Sequence, residues 1–131
     1  MSSEIRYLNT DLDIIGNRDL TPLMTALEGR NFYSLHMEQR EDGHWHASFE
    51  MNETFPIPDE TISQTLDGIE SLSGDARTLW SECSLREFNI GYVCGDHPRG
   101  FNNGLSNRTL VRLCSVGATL RITLYPPDPI E

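Results

Sequence analysis

Three observations over 131 residues predict an α+β fold. Two alternating segments flank a Glu41-Asp42-Gly43 turn, two apolar patterns with helical spacing bracket that hairpin, and further alternating runs open and follow the set. Strand, helix, hairpin, helix, strand is the ferredoxin-like βαββαβ order, extended here by a C-terminal helix and strand. Such an order predicts a mostly antiparallel sheet with helices on one face and the other face open.

Residues 5–14 alternate as a first strand, with Leu8, Leu12 and Ile14 on one side and Tyr7, Asn9, Asp11 and Asp13 on the other. A helix follows from Asp19 and Thr21, which can cap free amides, and Pro22 suits its first turn. Leu23, Leu27 and Met24 are its core-facing residues. The hairpin comprises 31–40 and 44–51, and Gly43 can take the left-handed conformation that a three-residue loop needs. That loop pairs Trp45 with Gln39, Ala47 with Met37, Phe49 with Leu35 and Met51 with Tyr33, which gathers the apolar residues on one side. A two-residue loop would split them.

Ile62, Leu66, Ile69 and Leu72 have helical spacing over 59–72. A short helical turn around Asp75 and Trp80 precedes a strand over 85–94, where Phe88, Ile90, Tyr92 and Cys94 alternate. Trp80 reads as a core residue. Residues 95–104 have loop chemistry. A helix begins near Ser106 or Asn107 and stops near Gly117, and 118–125 forms the last strand with Leu120, Ile122 and Leu124 facing inward. Prolines after Tyr125 terminate it, because proline cannot join a ladder. The pattern predicts a single domain over 1–131 with a short Pro-rich C-terminal tail.

Twenty acidic and ten basic residues give a net charge of -10, which disfavours nucleic acid and anionic lipid and favours a basic protein partner. Acidity of this kind also serves solubility alone. Cys83, Cys94 and Cys114 form an odd set without CxxC spacing, so the expected setting is a reducing cytoplasm. No basic stretch followed by an apolar run opens the sequence, and no segment has the ~18 apolar residues of a membrane span.

If Trp45, Ala47, Phe49 and Met51 face the helices, His44, His46, Ser48 and Glu50 face the open side, joined by His36, Glu38 and Arg40. His36, Glu38, His44 and His46 have the ligand types of a two-histidine, one-carboxylate metal site. A strand HxH pair, however, leaves its side chains about 7 Å apart, and a solvated polar face explains the same residues without a metal. His97 reads as a loop histidine and Cys94 as packing. Gly95 and Gly100 lack the Lys-Ser or Lys-Thr of a phosphate-binding loop, and neither GxSxG nor HExxH occurs. No cofactor is implied.

Short motifs also carry a resemblance. Asp11-Leu-Asp13, Asp19-Leu-Thr-Pro22, Asn89-Ile-Gly-Tyr92, Leu105-Ser106, Leu110 through Leu113 and the run from Gly117 to Tyr125 resemble a bacterial domain-of-unknown-function family with this extended ferredoxin-like order. Such domains have no assigned reaction, and some look like immunity proteins of bacterial toxin systems. The reading ranked first is a non-catalytic protein-binding module presenting Tyr7, Asp11, Asp13, Glu38, Glu50 and Glu87 to a basic partner. A structural homo-oligomer built through edge strands or open faces comes second, and a small metal-dependent enzyme using the histidine cluster third.

Overall fold

The computed structural model describes residues 3–127. Within these residues, five strands and four helices follow in the order β1 (Arg6–Gly16), α1 (Thr21–Glu28), β2 (Phe32–Gln39), β3 (Trp45–Met51), α2 (Pro58–Glu70), α3 (Gly74–Glu82), β4 (Leu85–Val93), α4 (Asn107–Ser115) and β5 (Thr119–Tyr125). The fold is α+β with one mixed sheet of strand order β2-β3-β1-β4-β5. Neighbours are antiparallel except β4 and β5, which are parallel because α4 carries the chain across between them. The segment expected to form a short helical turn is the full helix α3, whose Ala76, Leu79 and Trp80 are buried. The order is therefore not strictly βαββαβ. Tail residues 128–131 lie outside the described residues.

Alternation builds the core. Leu12 and Ile14 of β1, Ala47 and Phe49 of β3, and Phe88 and Ile90 of β4 are buried together with Leu23 and Leu27 of α1 and Ile62, Leu66 and Ile69 of α2. Asp19 holds the start of α1 by accepting bonds from the Thr21 amide at 2.8 Å and hydroxyl at 2.6 Å. Ser106 caps α4 by accepting from the Thr109 amide at 3.1 Å. Arg112 then ties α4 to α2, donating to Glu70 at 2.9 Å and Asp67 at 2.6 Å.

Gly43 sits at φ 88°, as the hairpin loop requires, and the register beside it pairs Trp45 with Gln39 and Ala47 with Met37. Farther from the turn the expected register fails. A bulge between Ser34 and His36 pairs Phe49 with Ser34, Glu50 with Tyr33 and Met51 with Phe32. Phe32 thereby becomes a core residue, packing where a Cβ on Gly68 would approach its Cε1 to 2.6 Å, while Tyr33 turns to the open face and Leu35 is exposed. A second register shift, between Tyr7 and Asn9, reverses the expected orientation at the start of β1. It exposes Leu8 and turns Tyr7 toward α2.

Expectation also fails at β5. Leu120, Ile122 and Leu124 pair with Phe88, Ile90 and Tyr92 and share their side of the sheet, yet remain 40%, 64% and 64% exposed. Alternation set their side, but the helices do not cover it. Among the described residues, no helix is long and apolar enough to cross a membrane.

Candidate functional site

The open face of β1, β3 and β4 gathers carboxylates that the period-two geometry brings together from three strands. Asp11 and Asp13 come from β1, Glu50 from β3 and Glu87 from β4. Register places Asp13 opposite both Ser48 and Glu87, and Asp11 opposite Asn89. Three of these carboxylates are satisfied locally. Asp13 accepts a bond from the Ser48 hydroxyl. Glu50 accepts from the Asn9 amide at 2.6 Å and the Tyr33 hydroxyl at 2.5 Å. Glu87, 8% exposed, accepts from the Arg121 guanidinium at 2.7 Å.

Asp11 differs. Its Oδ1 is buried without a hydrogen-bond partner, and among the described residues no other buried side-chain nitrogen or oxygen is in that position. Burial, followed by the nearby charges of Glu50 and Asp13 and a hydrogen bond shared with the Glu50 carboxyl, pushes its carboxyl up to about 7. A carboxylate held this way gains from any cation that reaches it, because a buried charge without a counter-ion is costly. Asn9, Tyr33 and Glu50 of this face also help line a pocket of ≈ 90 Å³ that does not include Asp11 and that Tyr7, Thr10 and Thr61 close from the helix side. That space matches one side-chain tip and falls well short of the ~300–1,000 Å³ of a small-molecule site.

The expected partner-binding residues divide accordingly. Asp11, Asp13 and Glu50 cluster, and Glu87 joins them but is engaged by Arg121. Glu38 lies on the outer strand β2, 3.2 Å from Arg40. Tyr7 does not belong to this face: its hydroxyl bonds Thr10 at 2.6 Å and Thr61 of α2 at 2.8 Å, and its ring meets Tyr92 at 5.8 Å. The bulge at Leu8 is the reason. Asn9, Tyr33, Asn89 and Arg121 belong to the face and were not among the expected site residues. Asn9 and Asn89 could have been found from alternation with Asp11 and with Ile90, whereas Tyr33 depends on a bulge without a sequence signal.

His46 stands opposite Glu38 and His36 opposite Ser48, as the sequence implied. His44 turns instead toward its own loop, with Nδ1 3.3 Å from Asp42. Among the described residues, no group of three or more His, Cys, Asp or Glu side chains is placed to hold a metal ion. Comparison with family models, curated proteins and solved structures finds no match to this chain.

Proposed function

We propose that the protein is a non-catalytic protein-binding module whose open sheet face docks a basic partner, with an immunity-type protein for a basic toxin as its sharpest form. The carrying observation is Asp11, an under-compensated carboxylate among Asp13 and Glu50. A lysine or arginine from a partner would supply the missing donor and the counter-charge in one contact. The net charge of -10 would speed the approach of such a partner. Strand order β2-β3-β1-β4 with antiparallel neighbours supports a ferredoxin-like core, and the short motifs described above support kinship with the domain family that includes immunity-like members.

Paired affinity baits test this reading: the intact protein and a variant carrying Asp11→Asn, Asp13→Asn and Glu50→Gln, each exposed to the proteins of the cell. A basic protein retained by the first, lost by the second and released by raising salt is the expected result. Binding should also tighten as pH rises through 7, because the partner's cation selects the ionised Asp11. Equal capture by both baits, or capture that ignores salt and pH, contradicts the proposal.

A further inference from the structure

Among the described residues, strand β5 ends the sheet with one side of its backbone unpaired. The Tyr125 carbonyl accepts from the Cys94 amide at 2.8 Å, so the backbone groups of Tyr125 point toward β4. Backbone direction alternates along a strand, so those of Leu120, Ile122 and Leu124 point to the free edge. Sheet edges are ordinarily blunted by charge, proline or a bulge. The opposite edge, β2, has such devices in its bulge and in Glu38 beside Arg40. β5 has none before Pro126: its pairing to β4 is unbroken, and its charged residue, Arg121, is held on the open face by Glu87.

Apolar surface accompanies this edge. Leu120, Ile122 and Leu124 form an exposed row on the helix side. Residues on a helix turn ~100° each, so Leu110 lies on the flank of α4 opposite Arg112, away from α2 and toward β5. Phe101, which lines a hollow with Ile122 and Leu124, extends the patch, whereas Tyr125 stands on the other side of the sheet near Gly91 and Asn9. Together the residues of the patch leave roughly 450 Å² exposed, over half of the ~800 Å² per partner of a stable interface, and the edge backbone adds to it. This region is also free of acidic residues: between Asp96 and Asp128 the chain has Arg99, Arg108, Arg112 and Arg121 and no Asp or Glu. Two copies of a chain with charge -10 can meet here without apposing carboxylates.

We infer that the covering partner is a second copy, joined by antiparallel β5–β5 pairing with Ile122 at the two-fold axis. This register pairs Ile122 with its own copy and Leu120 with Leu124, each through edge-facing backbone groups, and sets Arg121 opposite Thr123. A shift that centres the axis on residue 121 would oppose Arg121 to Arg121 and lose the Leu120–Leu124 match. The axis at Ile122 keeps apolar residues together and like charges apart. Pro126, without an N–H, ends the paired segment. The open acidic face stays outside this interface, so each copy keeps its own docking surface.

Sedimentation of the intact chain should give twice the 14.9 kDa protomer mass, and Ile122→Lys should give 14.9 kDa with an unchanged far-ultraviolet spectrum. Ile122→Cys, made with Cys94→Ser and Cys114→Ser, checks the register independently. In a hydrogen-bonded antiparallel pair the facing Cα atoms lie ~5.5 Å apart, and a disulfide spans that distance. Oxidation should therefore link the copies in high yield. A monomeric intact chain at about 100 μM, where an interface with μM affinity would be filled, overturns the inference. So does a dimer that survives Ile122→Lys or fails to cross-link through Cys at that position.

Discussion

Asp11 and Ile122 occupy strands of one sheet, and each is incompletely partnered, but in opposite chemistry. Among the described residues, Asp11 lies on the polar face of β1 with an oxygen that no donor reaches, whereas Ile122 lies on the helix side of β5 with apolar surface that no helix covers. The first lack is relieved by a cation and the second by another apolar surface, so the regions should select different partners. Their separation on opposite sides of the sheet lets one molecule use both. A binding module that is also a dimer would then present two acidic faces to its partners.

The contrast between covered and uncovered strands gives the largest expected effect. Ile90 and Phe88 pair with Ile122 and Leu120 across the β4–β5 ladder, yet Phe88 is fully buried. Phe88→Ala should cost about 3–5 kcal/mol in chemical denaturation. Ile122→Ala, measured at a concentration that keeps the chain monomeric, should cost less than about 1 kcal/mol. Similar losses at both positions would mean that β5 is covered within the protomer.

A smaller effect belongs to Asp11. Its carboxyl is raised in the folded state to about 7, above its usual value near 3.8, so between these pH values the folded chain holds the proton more tightly than the unfolded chain. Ionising Asp11 therefore subtracts stability as pH rises through that window. Asp11→Asn should match the intact protein at pH 4 and exceed it at pH 8 by about 1–2 kcal/mol, a figure discounted because the carboxyl is partly solvated. A gap that is constant with pH would remove the electrostatic account. The smallest effect is expected on the outer part of the face: His44→Gln with His46→Gln should shift stability by less than about 0.5 kcal/mol. A large loss would give those histidines a structural role that the open face does not provide.

Sequence pattern made the element order legible because burial imposes strict periods on helices and strands. Ile62, Leu66 and Ile69 were readable as a core stripe, and the turn at Gly43 fixed the near half of the hairpin register. Tyr7, Tyr33 and Leu35 were not readable. Each depends on a bulge, where one extra residue reverses the side on which later residues stand. Leu120, Ile122 and Leu124 teach a different limit: alternation tells which side a residue takes, but not whether anything lies over that side. The acidic cluster was visible as Asp11, Asp13 and Glu50, while its organisation was not. That Asp13 and Glu50 have donors and Asp11 Oδ1 has none is a property of register and rotamer.

The charge state of Asp11 can be read at its source from the carboxyl carbon, followed by nuclear magnetic resonance through a pH titration of the free protein. A midpoint near 7, far above the ordinary carboxylate range, is expected, and it should fall when Glu50 is replaced by Gln. A midpoint near 4 in the intact protein would mean that Asp11 is already well solvated or paired, and the open face would lose the unsatisfied charge on which its docking role rests.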